Sequence, residues 1–204
     1  MKKKVFFVTA TNTDVGKTYA CEKLMEKYAA KGYKVGYVKP IETGVENNPL
    51  DGSKLLNVAQ QLNKDFTLEI TQVVPYTYKL AAAPYVASKK EKIGMKKIYQ
   101  SVDLALKQSN CLFIEGAGGL MVPINKDFFM IDLAKKLQKK YGSKSILISP
   151  SNLGNINETL LSLQMLQKRK IDFKWYINLH KDKESFDTIT LPFYNDYFDK
   201  INFI

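Results

Sequence analysis

Apolar residues fall along this chain in short continuous runs, separated by stretches with helical spacing. The first run, Lys4–Thr9, predicts a strand, and the pattern from Tyr19 to about Lys31 predicts a helix that Gly32 ends. A second strand spans Lys34–Lys39 and stops at Pro40, because the residue before a proline is pushed out of the helical region. Residues Ile41–Gly52, rich in Gly, Asn and Pro, read as loop, followed by a short helix over Ser53–Leu62. Asp65–Ala83 carries no decisive period; within it Val73-Val74 reads as a short strand and Ala81–Pro84 as loop or helix start. Further on, helices are expected over Met95–Gln108, Phe129–Tyr141 and Asn157–Lys168. Strands are expected over Cys111–Glu115, Ser145–Ser149 and Trp175–Asn178, with Thr188–Leu191 as a last strand before Pro192.

Strands that are apolar throughout, rather than alternating, and that are separated by helices specify an α/β fold. We expect a mostly parallel central sheet with helices on both faces, formed by a single domain over residues 1–204. In such sheets ligands bind outside the carboxyl ends of the strands. Those ends carry the loop after Thr9, then Lys39, Glu115 with its glycines, Ser149-Pro150 and Asn178.

The loop between the first strand and helix, Ala10–Thr18, has the sequence A-T-N-T-D-V-G-K-T. Strand, turn ending in Gly-Lys-Thr, then helix is the setting of a phosphate-binding loop, making the fold P-loop NTPase-like. The first amides of a helix are free and its dipole favours an anion there. Lys17 would reach the outer phosphates and the Thr18 hydroxyl would sit on Mg²⁺. The usual first glycine of the motif is absent, its position being held by Thr11, so only Gly16 remains in the loop. Glu115 ends an apolar strand, where a carboxylate can help hold magnesium; standing alone it would read as a helix cap or surface residue. Gly116-Ala117-Gly118-Gly119 beside it permits close backbone approach to a ligand. Asp51 on its own reads as a turn residue, and Lys39 as either functional or simply solvated.

Composition changes this picture little. The chain has 204 residues, 45% of them hydrophobic and 25% charged, enough for one substantial core. The net charge of +11 invites a nucleic-acid reading, but of 31 basic residues only Arg169 is an arginine, and the lysines are interspersed with acids. Base-edge and bidentate phosphate recognition lean on arginine, so no nucleic-acid partner is expected. No apolar run reaches the ~18 residues of a membrane span, and the basic start lacks a signal peptide's apolar core, so no membrane association and a cytoplasmic location are expected. Cys21 and Cys111 fall in buried positions and read as packing residues. His180, the sole histidine, is given no role.

Several motifs together resemble the dethiobiotin synthases. These are T-x-T-(E/D)-V-G-K-T at Thr11–Thr18, K-P-x-x-(S/T)-G at Lys39–Gly44 and E-G-A-G-G at Glu115–Gly119. Pro123, L-G-x-I-N at Leu153–Asn157, the strand end at Asn178 and Leu191-Pro192 follow in the family's order. The resemblance implies ATP-dependent ring closure: carbon dioxide adds to one amine of diaminopelargonic acid as a carbamate. The carbamate oxygen attacks the γ-phosphate, and the neighbouring amine closes the ring and expels phosphate. It implies Lys17 and Lys39 as catalytic charges, and ATP held by Asp14, Val15, Gly16, Lys17, Thr18, Tyr19, Glu115, Gly116, Ala117, Gly118, Asn178 and Pro192. Substrate would be bound by Thr13, Thr43, Gly119, Val122, Gly154, Asn155 and Asn157, and Mg²⁺ by Thr18, Asp51 and Glu115. It also implies a homodimer in which Leu153–Asn157 of one subunit takes the substrate carboxylate of the other; Asn155 and Asn157 read alone as helix caps. Ala10 replaces the family's usual glycine, which would tighten the loop. The short stretch after Pro192 suggests that part of the nucleotide-base pocket and C-terminal helix is lacking. A partition-type ATPase that switches partners with its nucleotide is the rival; such proteins usually carry a second lysine early in the loop, where Thr11, Asn12 and Thr13 stand here.

Overall fold

The computed structural model describes residues 3–179 and 183–204, so His180 lies outside the described residues. In chain order the elements begin β1 (Lys4–Ala10), α1 (Lys17–Ala29), β2 (Val35–Val38), β3 (Ile41–Thr43) and α2 (Leu50–Leu62). They continue with α3 (Ile70–Val73), β4 (Tyr76–Tyr78), α4 (Pro84–Ala87), α5 (Met95–Gln108) and β5 (Cys111–Gly119). Then come β6 (Pro123–Asn125), β7 (Phe128–Phe129), α6 (Met130–Tyr141), β8 (Lys144–Pro150), α7 (Asn155–Lys168) and β9 (Phe173–Asn178). After α8 (Lys183–Ser185) a π-helical turn, Phe186–Thr190, leads into α9 (Leu191–Tyr197).

Five parallel strands form the central sheet in the order β2-β5-β1-β8-β9. Successive side chains of a strand point to opposite faces, yet Val5 to Ala10 are all buried, so helices cover both faces. Such full burial explains the unbroken apolar runs. From β1 the chain passes outward to β2, returns to β5 beside β1, then crosses to β8 on the other side. The loop after β1 therefore lies where the winding reverses, the place where such sheets bind ligands. Cys21 and Cys111 are buried free thiols inside the core. Among the described residues no helix is long and apolar enough to cross a membrane.

Three local expectations are corrected. Val73-Val74 is not a strand: Val73 ends α3, whose first turn is closed by Glu69 and Gln72, with the Glu69 amide donating to Gln72 Oε1 at 2.8 Å. Thr188–Leu191 is helical as well, because Pro192 falls in the first turn of α9, where a proline's missing N–H costs nothing; Thr188 Oγ1 donates back to the carbonyls of Glu184 (3.2 Å) and Ser185 (3.3 Å). The supposed loop after Pro40 contains β3, paired in parallel with β4, and α2 begins at Leu50, so Asp51 lies in a helix's first turn. Beyond Pro192 the chain continues in α9 to Tyr197, and the stretch after it bonds to β9: the Ile177 amide donates to Asn202 O and the Ile204 amide to Ile177 O.

Candidate active site

The loop between β1 and α1 is shaped by backbone that only particular residues tolerate. Gly16 has φ of 83°, and a Cβ there would stand 2.1 Å from Asn178 Nδ2, so both conformation and space require glycine. Asp14 also has positive φ, 57°, which Asp accepts more readily than most residues. Asn178, at the end of β9, pins the loop by donating from Nδ2 to Val15 O at 3.0 Å. Its Oδ1 is buried and has no hydrogen-bond partner among the described residues. Ala10 ends β1 fully buried and is not among the positive-φ residues, so it stands where the family has glycine without needing glycine's freedom. Behind the loop, Gly119 lets β5 pass close by: a Cβ there would meet Thr11 O at 2.8 Å.

Beneath the loop, sheet register gathers the charged residues. Tyr37 pairs with Phe113, and residues two apart share a face, which puts Tyr37, Lys39 and Glu115 together. Lys39 Nζ lies 2.8 Å from Asp51 Oδ2 and 3.3 Å from Glu115 Oε1. Thr18 Oγ1 donates to Glu115 Oε1 at 2.9 Å, and Tyr37 OH to Glu115 Oε2 at 2.6 Å. Glu115 and Tyr37 are fully buried and Lys39 nearly so. Burial opposes the charge on Lys39, but the carboxylates of Glu115 and Asp51 outweigh it and hold its ammonium above the usual lysine range. Burial likewise opposes ionisation of Asp51, and Lys39 overrides it, leaving that carboxyl below its usual range. For Lys17 burial wins, against the pull of Glu115, and its affinity for a proton falls. Its Nζ has a long 3.5 Å bond to Asn12 O, a contact easily exchanged for a phosphate. Burial first, then Glu115, pushes the Cys21 thiol well up, which removes it as a nucleophile.

Asp14 to Thr18, Lys39, Asp51, Glu115 and Asn178 line one cleft of ≈ 860 Å³. Thr13 to Tyr19, Lys39, Thr43, Asp51 and Glu115 to Gly118 all face it, as does Asn178 beside the loop. Other expected residues lie outside its lining. Gly119 ends the glycine strand and Val122 follows it, with Val122 Cγ2 2.7 Å from where a Gly118 Cβ would be. Pro192 is exposed in the first turn of α9. At the start of α7, Gly154 and Asn157 are exposed, whereas Asn155 turns inward, accepting from Tyr194 OH at 2.6 Å and donating to Asn152 O at 2.7 Å.

Sequence reasoning missed Tyr37 and Glu42. Glu42 accepts the amides of Asp51 (3.1 Å) and Gly52 (2.9 Å) and so ties the start of α2 to the site. The strand period alone put Tyr37 on the face of Lys39, a signal that was available. Asn12 and Glu158, joined by a 3.0 Å hydrogen bond across the cleft, were also unforeseen.

The donor set suits a hard cation. Among the described residues no group of three or more His, Cys, Asp or Glu side chains converges, so an all-protein cage is absent. Magnesium keeps waters and needs only one or two carboxylates beside phosphate oxygens. Thr18 Oγ1 and Glu115 Oε1, hydrogen-bonded to each other at 2.9 Å, are oxygens of the hard type such an ion takes.

A family model described as an AAA domain matches residues 4–190. The ATP-dependent dethiobiotin synthetase of Sulfurovum sp. is 45% identical over 193 residues, covering 94% of this chain and 90% of the relative. That of Wolinella succinogenes is 38% identical over 196 residues, covering 95% and 89%. In structure, the chain resembles the MinC:MinD cell division complex of Aquifex aeolicus, with a TM-score of 0.54, 16% identity, and coverage of 98% of this chain and 79% of that one. A plasmid partition protein of Borrelia burgdorferi gives 0.54 at 13% identity, covering 100% and 90%. At such identities the structural likeness speaks for the parallel P-loop fold alone, while the sequence relatives carry the assignment: the chain belongs to the dethiobiotin synthetase family.

Proposed function

We infer that this chain is an ATP-dependent ligase of biotin biosynthesis. It converts diaminopelargonic acid, carbon dioxide and ATP to dethiobiotin, ADP and phosphate. The observation that carries the reading is the cluster of buried Lys39 and Glu115 with half-exposed Asp51 and Thr18 under a phosphate-binding loop, in a chain 45% identical to a dethiobiotin synthetase. The free amides at the start of α1 and Lys17 would hold the triphosphate. Thr18, Glu115 and Asp51 would hold Mg²⁺. When bound, Mg²⁺ neutralises charge on the phosphate oxygens.

The chemistry needs no protein nucleophile. Carbon dioxide joins one amine of the substrate, and the carbamate oxygen attacks the γ-phosphorus with ADP leaving. The second amine then attacks the activated carbonyl carbon, and phosphate departs as the ring closes. Lys39 serves here as a fixed positive charge and not as a base, because Glu115 and Asp51 hold its proton. With Lys17 it would stabilise the negative charge that grows on carbamate and phosphoryl oxygens. Thr43, at the end of β3, would hydrogen-bond the carbamate. Asn178 would read the base through its unpaired Oδ1. The rest is alignment of reactants already bound.

The active form is proposed to be a homodimer, with the start of α7 completing the partner's site. Supporting this, Asn157 is exposed and outside its own chain's cleft lining. The partition-ATPase reading rests on structural likeness at 13–16% identity and is not favoured. Incubating the protein with diaminopelargonic acid, bicarbonate and MgATP tests the reading. A product of dethiobiotin's mass supports it; ATP hydrolysis without that product refutes it.

A further inference from the structure

The inference concerns how Glu115 is held, and it rests on the reading of Glu115 as a metal-holding side chain. The two oxygens of this carboxylate have different surroundings. Oε1 meets Thr18 Oγ1 and Lys39 Nζ, both of which line the cleft. Oε2 accepts from Tyr37 OH at 2.6 Å, on a side chain that is fully buried and lies outside the cleft lining. A carboxylate anchored through one oxygen cannot rotate freely, and because the Tyr37 bond comes from outside the cleft it holds Oε1 as the oxygen offered to a cation there. Calcium commonly takes carboxylates through both oxygens and tolerates six to eight ligands, whereas magnesium demands a compact octahedron.

We propose that Tyr37 is a positioning residue that aims Glu115 through Oε1 alone, favouring a small octahedral cation over calcium. Tyr37 does not touch the reacting atoms. Its place follows from the fold: β2 lies beside β5, and the pairing of Tyr37 with Phe113 brings the phenol up behind the carboxylate. Tyr37→Phe keeps the ring that fills the core and removes only the oxygen. Partners that orient a metal's ligands typically matter ~10–100-fold to metal affinity or activity when lost.

The test compares wild type, Tyr37→Phe and Glu115→Gln, each checked for folding by circular dichroism. Mn²⁺ bound in the presence of a non-hydrolysable ATP analogue is followed by electron paramagnetic resonance and displaced with Mg²⁺ or Ca²⁺. The Mg²⁺ dependence of turnover is measured alongside. For Tyr37→Phe the expected results are a ~10-fold rise in the Mg²⁺ concentration for half-maximal rate, little change in saturated kcat, and a gain of Ca²⁺ relative to Mg²⁺ in displacing Mn²⁺. Unchanged metal dependence and displacement in a folded Tyr37→Phe, with Glu115→Gln strongly affected, would overturn the role of Tyr37 alone. No effect of Glu115→Gln on either metal readout would overturn the assignment of Glu115, and the inference with it. Wild type supplies a check independent of the variant: Ca²⁺ displacing Mn²⁺ as readily as Mg²⁺ would also overturn the inference.

Discussion

Lys39 meets two demands with one side chain. Its ammonium is nearly buried, which disfavours the charge, yet two carboxylates within 3.3 Å keep the proton on it. A lysine so placed is a permanent positive point beside the phosphate loop. Lys39→Ala should lower turnover by ~10²–10³, the usual cost of losing one donor aimed at developing charge. Removing the partner of a buried carboxylate should also lower stability by about 3 kcal/mol, reduced here because Thr18 and Tyr37 still satisfy Glu115. Steady-state rates and a thermal melt on the same sample separate the two effects. Near-normal turnover in the folded variant would remove Lys39 from the catalytic group.

Among the elements, α2 owes its position to a residue outside it. Its N-cap position is held by Pro49, which makes no side-chain cap, so Glu42 on β3 takes the amides of Asp51 and Gly52 instead. That contact sets where the Asp51 carboxylate points. Glu42→Gln can accept only one of the two amides and should cost about 1 kcal/mol, the range of a lost cap. A melt about 2–4 °C lower is expected for a chain of this size, and calorimetry that finds no shift would count against the capping role. The same scale shows what could be read from the chain alone. The central strands were legible because burial on both faces makes Val5–Val8, Cys111–Ile114 and Ile146–Ile148 apolar throughout. β3 and β4 were not, since each has three residues and exists through pairing with the other. At Val73 strand propensity lost to the Glu69–Gln72 capping box, and after Thr188 Pro192 opens a helix where it was expected to stop a strand. The site divides in the same way. Gly16-Lys17-Thr18 and Glu115–Gly119 announce themselves as motifs, whereas Tyr37 gains its role only from a partner 78 positions away.

For the whole molecule, the substrate sets the problem: its amines must reach the phosphate loop while its carboxylate lies at the far end of an apolar chain. The start of α7 is the proposed anion site. Of its two asparagines, Asn155 is spent on Tyr194 and Asn152, so the exposed Asn157 is the one proposed to meet a ligand of the neighbouring subunit. If sites are shared in this way, Lys39→Ala and Asn157→Ala subunits, each weak alone, should recover activity on mixing. Every hybrid dimer then holds one site with both residues intact. Absence of recovery in confirmed hybrids, or full activity in a protein that stays monomeric at assay concentration, would refute the shared site.

The account stands on one chemical claim, that ATP cleavage here is tied to closing a ring from a diamine and carbon dioxide. Phosphate release measured with diaminopelargonic acid and bicarbonate together, with each omitted in turn, tests it most directly. The prediction is rapid release only when both are present, with dethiobiotin formed in equal amount. Release that proceeds at the same rate without either one would contradict it.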